Sequence, residues 1–312
     1  MNAPSGGLAK PKIRRLYYFL FPAFLIIMVA LEIRKPTILR IPLGTLALIL
    51  SLIFAQLVVL AYRMLFLMKI LEERVSFSNA IKVQFYPVFL NYSLSSAIGI
   101  TFKALLLKEH TRNPLGNVVA LITLEVLIDV SAMMLVLFLT GYGNIVNVLG
   151  YYKAHLWIIG VVAGIGIMAA GILLIRNSEK LFSAVCSFSA ILKVKRSCLF
   201  AVILLSGVNY LLLSLYNYLA YYHFYPDLGF SSITGIVTAS NLVGLLSPLP
   251  GGIGISEAFM CFLGKGYSIS LSRIISISFF LRNASLLMVG VIVMSSFLRE
   301  ALTGKISKDP TK

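Results

Sequence analysis

Residues 247–257 read Ser247-Pro248-Leu249-Pro250-Gly251-Gly252-Ile253-Gly254-Ile255-Ser256-Glu257 and interrupt an apolar run that extends from 233 to 263. A run of that length exceeds the roughly 18 apolar residues that cross a bilayer's hydrocarbon core, so its backbone is expected at membrane depth. There the prolines remove donors and block the preceding turn, while the glycines admit conformations closed to other residues. Lipid offers no partner for the freed N–H and C=O groups. Such a break survives only where protein or a water-filled cavity receives them, which predicts a broken, re-entrant segment instead of a plain span. Ser256 and Glu257 are expected in the first turn of the half-helix that follows, whose free N–H donors suit a phosphate or carboxylate. The competing reading is a tight turn and nothing more. It is not a P-loop, since no Gly-Lys-Ser/Thr follows.

The surrounding 312 residues are 59% apolar and 12% charged, about half the charged fraction of a soluble domain. Seven further apolar runs lie near 16–33, 41–60, 85–107, 115–140, 154–175, 198–222 and 274–298. A water-soluble globule is excluded. Alternating ten-residue strands are missing, so the runs are expected to be helical and the fold class is an all-α, polytopic integral membrane bundle. The chain divides into a basic N-terminus (1–15), a single transmembrane domain (16–298) and a short basic tail (299–312). The first run follows Lys10, Lys12, Arg14 and Arg15 but has no cleavage site after it, and reads as a retained anchor.

Against 11 acids stand 27 Lys and Arg, a formal +16 that must crowd into membrane-flanking loops, where basic residues stay cytoplasmic and meet anionic headgroups. Nucleic acid is not expected as a partner, because no soluble stretch is long enough to build a basic groove. If all eight runs crossed, the basic loop 176–197 would fall outside and the weakly charged 141–153 inside. The conflict eases if 85–107 and 233–263 each enter and leave on one side. That predicts six crossings, two re-entrant hairpins and both termini in the cytoplasm of a cell-membrane protein. Pro87 and Gly99 are the breakers of the first hairpin. Arg34, Lys35 and Arg40 then lie outside, against the rule. The segments 61–84 and 176–197 mix basic and apolar residues at helical spacing and read as interfacial helices. Helix, hairpin, helix occurs twice, an inverted repeat of the kind whose binding site lies where the broken segments meet.

Acids are scarce, so their placement is informative. Glu125 and Asp129 stand four residues apart on one helix face inside 115–140. A single charge at a helix centre costs about 2.5–3.5 kcal/mol on lenient scales, so cations, protons or a wet cavity must neutralise the pair. The bland alternative is an ion-pair network that only fixes the helices. Candidate partners are Lys103, Arg273 and Arg282, with Glu257 completing the set; Lys103 is matched to Glu257, and Arg282 to Glu125 or Asp129.

Three features together resemble the flippase-like transmembrane domain of the lysylphosphatidylglycerol synthase family: Pro-Gly-Gly-x-Gly-x-x-Glu at Pro250–Glu257, the pair Glu125 and Asp129, and a first hairpin running from Gly99 to the basic Lys108. The likeness covers nearly the whole chain. It implies a membrane domain that moves or presents a lipid. The placement of the residues themselves nominates Lys103, Glu125, Asp129, Pro250, Gly251, Gly252, Gly254, Glu257, Arg273 and Arg282 as the binding and translocation residues. The chain ends at Lys312, leaving no room for an aminoacyl-transfer domain, so a stand-alone member is expected and lysyl-lipid synthesis is not carried over. The first hairpin also departs from the family: Ser96-Ala97-Ile98-Gly99-Ile100-Thr101-Phe102-Lys103 lacks the acid many members carry there.

The expected function is translocation of an anionic or polyprenyl-phosphate lipid headgroup through a polar midplane cavity, with membrane lipids as partners. One alternative is a membrane transferase using Glu125, Asp129 or Glu257 on a lipid-linked substrate, although no Asp-x-Asp, Walker or His-Glu-x-x-His motif supports it. Another is a non-catalytic partner of a separately encoded lipid-modifying enzyme. No cofactor or metal is expected: Cys186, Cys198 and Cys261, and His110, His155 and His223, have no ligand spacing. Gly160 and Gly164 read as helix-contact positions, and Tyr151, Tyr152, Trp157, Tyr221, Tyr222 and Tyr225 as aromatic belts. Oligomeric state has no signature in the sequence.

Overall fold

The computed structural model describes residues 41–71, 76–93, 96–111, 113–148, 195–245 and 252–302. The runs 16–33 and 154–175, nearly all of 176–197, and Pro250 and Gly251 lie outside them. Among the described residues there are eight helices and no strand: α1 (Leu43–Ile70), α2 (Phe77–Ser93), α3 (Ser96–His110), α4 (Leu115–Val148), α5 (Arg196–Tyr222), α6 (Phe230–Leu245), α7 (Ile255–Lys265) and α8 (Leu271–Leu302). Proline opens α1 and α4, where Pro42 and Pro114 contribute only a carbonyl, accepting from Leu46 N and from Asn117 N. Ser76 caps α2 through its Oγ, and Tyr225 Oη accepts the Ser270 N–H just before α8. Inside the helices Ser51, Thr123, Ser131, Thr140 and Ser240 return their hydroxyls to the carbonyl four residues back, which keeps these polar groups satisfied without water.

Four helices, α1, α4, α5 and α8, are long and apolar enough to cross a membrane. The others have 17, 15, 16 and 11 residues. At 1.5 Å per residue none of these reaches the roughly 30 Å of a hydrocarbon core. They occur as two hairpins, α2–α3 and α6–α7, each lying between two long helices.

The quartets α1–α4 and α5–α8 are built alike. The same step of 153 residues separates Leu43 from Arg196 and Phe77 from Phe230, which open the first two helices of each quartet. Their contacts also repeat: α1 packs on α5, α2 on α8 as α6 on α4, and α4 on α5 as α8 on α1. The two apolar clusters fix the sense of the repeat. One joins Ile49 and Ile53 at the start of α1 to Tyr216 and Tyr221 at the end of α5, together with Ile233, Leu263 and Ile274. The other joins Met64, Leu67 and Met68 at the end of α1 to Val202 near the start of α5, together with Ala80, Leu107 and Val118. Helices α1 and α5 are therefore antiparallel, and the open ends of the two hairpins lie at opposite ends of the bundle.

Several sequence boundaries are corrected. The first hairpin begins at Phe77 and not at 85, and 61–84 is no interfacial helix: residues 61–70 complete α1, and 77–84 form the first turns of α2. Helix α4 runs to Val148, beyond 140. Pro87 does not break its helix. It lies opposite Gly99, where a Cβ would stand 2.9 Å from the Pro87 carbonyl oxygen and 2.8 Å from Asn91 Cβ, so the arms of the hairpin close on a residue without a side chain.

The second hairpin closes in the same way. At Gly252, φ is +68°, and a Cβ would stand 2.7 Å from both Cα and O of Gly244. Gly252→Ala should destabilise the fold by ~1–3 kcal/mol or more, through left-handed strain and an unrelievable backbone clash. Gly207→Ala in α5, with nothing within 4 Å of its Cβ, should be neutral or mildly stabilising. Thermal melting of the two variants in detergent, side by side, measures the contrast.

Candidate functional site

Among the described residues, two ionic networks lie inside the bundle. The larger is centred on Arg63, two turns before the end of α1 and 3% exposed. Its Nη2 donates to Glu125 Oε1 at 2.8 Å, and its Nη1 donates to Asp129 Oδ1 at 2.5 Å and to Ser206 Oγ at 3.2 Å. The spacing of the acids makes this geometry: four residues apart, both carboxylates leave α4 toward α1, and a planar guanidinium spans them. Lys103 on α3 closes the other side, donating to Glu125 Oε2 at 2.6 Å and to Gln84 Oε1 at 3.2 Å. Tyr210 on α5 contributes a hydroxyl hydrogen-bonded to Asp129. Two cations and two carboxylates thus tie α1, α2, α3, α4 and α5 together.

The smaller network lies at the start of α7. Arg282 on α8 reaches Glu257 Oε1 at 2.7 Å and Ser256 Oγ at 2.9 Å. Ser256 and Glu257 do stand in the first turn of the half-helix. The end of that helix is not open, however: Glu257 Oε2 accepts the Gly254 N–H at 2.7 Å and the Ser256 hydroxyl at 3.0 Å. A carboxylate of the chain itself occupies the positive end of α7, as expected of an acid at the third helical position. Gly254 turns the chain into the helix at φ +87°.

Both ion-pair assignments made from sequence are therefore exchanged. Lys103 pairs with Glu125, not Glu257, and Arg282 pairs with Glu257, not with Glu125 or Asp129. Each hairpin's second arm is bonded to the long helix that follows it in the chain and packs against it. Arg273 stands apart from both networks at the start of α8, exposed, its guanidinium over the rings of Phe224 and Tyr225. Arg63 was missed by the sequence reading altogether. The signal for it was the surplus of acid: Glu125 and Asp129 need two cations at depth, and Lys103 supplies one.

The family model described as lysylphosphatidylglycerol synthase TM region matches residues 16–292. The chain belongs to that family. Neither a curated protein nor a solved structure matches it. Family membership and four spanning-length apolar helices make this lysylphosphatidylglycerol synthase TM-region protein a multi-pass membrane protein of lipid-related function. The glycine motif and the acidic pair on which the resemblance rested belong to separate networks, one in each quartet.

Removing one partner of a buried ion pair leaves an uncompensated charge, at a cost of about 3–5 kcal/mol. Arg63→Met should therefore unfold in detergent at clearly lower denaturant than the wild type. Asp129→Asn in that background should recover part of the loss, since Glu125 keeps Lys103. Equal stability of the single and double variants would show that the Arg63–Asp129 contact carries no weight.

Proposed function

We propose that this protein is a lipid translocase, moving the headgroup of an anionic or polyprenyl-phosphate lipid between leaflets while the acyl or prenyl chains stay in the bilayer. The single observation carrying this reading is the placement of six ionised side chains, Arg63, Lys103, Glu125, Asp129, Glu257 and Arg282, inside an apolar bundle at the two hairpins. A charged headgroup faces a large desolvation barrier in hydrocarbon, and fixed charges replace the lost water. Lys103 and Arg282 are more accessible than Arg63. Each can exchange its carboxylate for a phosphate oxygen of the headgroup.

In this reading the protein lies in the cell membrane with six crossings, two hairpins that enter from opposite faces, and both termini in the cytoplasm. The antiparallel quartets favour it, since their pseudo-two-fold axis runs perpendicular to the helices and hence in the membrane plane. So does charge: Lys69, Lys82, Lys108, Lys195 and Arg196 collect at the end of the bundle where α1 finishes and α5 begins, whereas Lys265 and Arg273 are the described basic residues at the opposite end.

Liposomes of phosphatidylcholine and phosphatidylglycerol carrying fluorescent phosphatidylglycerol test the proposal through quenching by external dithionite. The wild type should expose inner-leaflet label at least tenfold faster than protein-free liposomes. Lys103→Gln and Arg282→Gln should lose most of that rate, and Leu139→Ala, on the exposed face of α4, should keep it. A wild-type rate equal to that of empty liposomes, with phosphatidylglycerol and with a labelled polyprenyl phosphate alike, would end the translocase reading.

A further inference from the structure

The Arg63 cluster is balanced in charge. Arg63 and Lys103 face Glu125 and Asp129, and no other ionisable group faces Asp129 among the described residues except the Tyr210 hydroxyl. Helix α6, which packs against α4, has no ionisable side chain at all. A neutral cluster can sit in a low-dielectric bundle. An anionic headgroup added to it would leave one uncompensated negative charge there, which the same medium penalises. Something positive must arrive with the anion.

The two acids are not equally placed to accept it. Glu125 is 8% exposed and spends both oxygens on cations, Oε1 on Arg63 and Oε2 on Lys103. Asp129 has only Arg63 as a cationic partner, shares it with Glu125, and is 20% exposed. A proton on Asp129 therefore breaks one charge-assisted contact and leaves Arg63 anchored by Glu125. The freed Nη1 then points to the space Asp129 gives up. Ser206 Oγ, 3.2 Å from Nη1, borders the same space and can hydrogen-bond a phosphate oxygen there as well.

We propose that Asp129 is the proton site of a proton–lipid symport, taking up one proton with each singly charged headgroup bound at Arg63 and releasing it when the headgroup leaves. This rests on the translocase reading above and adds the coupling. The proton goes to the Asp129 carboxylate from the aqueous phase on the loading side and returns to water on the other. The empty cluster is neutral and so is the doubly loaded one. Only the singly loaded states carry net charge, and these are the ones disfavoured in transit. By linkage, anion affinity rises as pH falls, approaching tenfold per pH unit while one proton is taken up per anion, and anion binding in turn promotes protonation.

The test uses the full-length protein in weakly buffered detergent with short-chain phosphatidylglycerol as the probe, followed by calorimetry and a pH dye. The wild type should take up close to one proton per lipid bound. Asp129→Asn should take up none and bind with pH-independent affinity, and Asp129→Glu should restore the pH slope. Melting curves establish that each variant is folded. In liposomes loaded with a pH dye, an acidic exterior should drive labelled lipid and protons inward together, one to one. Lipid movement indifferent to the pH gradient would overturn the coupling and leave the translocase standing. If no lipid moves, the translocase reading falls. In either case an absence of proton uptake in detergent, whether because the lipid binds without a proton or does not bind, overturns the assignment of Asp129.

Discussion

One buried guanidinium holds the first half of the bundle together. Arg63 reaches α4 through two carboxylates and α5 through Ser206, while Lys103 ties Glu125 to the first hairpin. Apolar contacts between membrane helices are not selected by water, because lipid tails are as apolar as leucine. Position in such a bundle is instead specified by polar groups that have few partners at depth. Leu and Val on α4 can slide against their neighbours at small cost, but Glu125 and Asp129 cannot leave Arg63 without exposing charge to hydrocarbon. The network therefore fixes the register of α1, α3, α4 and α5, and the apolar clusters at either end fill in around it.

The second half has the same architecture with the electrostatics reversed. In the first quartet the hairpin carries the cation and the long helix the acid; in the second, Glu257 is on the hairpin and Arg282 on the long helix. A two-fold relation of backbone thus coexists with a sign change of charge. Both hairpins also close on a glycine, Gly99 against Pro87 and Gly252 against Gly244. Close approach of backbones brings the second arm near enough for a short acid or a lysine to bond the next helix.

The helical bundle was readable from the sequence because lipid removes the alternatives: a long apolar run with no alternating pattern has one way to satisfy its backbone. The second hairpin was readable from its breakers, but in the first both Pro87 and Gly99 lie inside helices and neither marks the turn. The start of α2 was hidden because Ser78, Asn79, Lys82 and Gln84 make its first turns polar, like a connector. Arg63 was hidden for the related reason that Lys69, Glu72 and Glu73 follow it closely and give 61–84 the look of a surface helix. The charge pairings were not readable, since which arm faces which helix is a property of three dimensions. The contact of Glu257 with Gly254 follows a capping pattern, an acid three residues after a helix-opening glycine, but the sequence was read there as an open helix end.

The fixed step of 153 residues from Leu43 to Arg196 and from Phe77 to Phe230 has a consequence for how such a chain can be assembled. A half-length polypeptide whose copies thread into the bilayer in either direction could pair head to tail and make the same framework. Fusing the copies into one gene frees each half to drift independently, and an acid can then become an arginine on one side only. A homodimer cannot hold that asymmetry, since every replacement would appear twice.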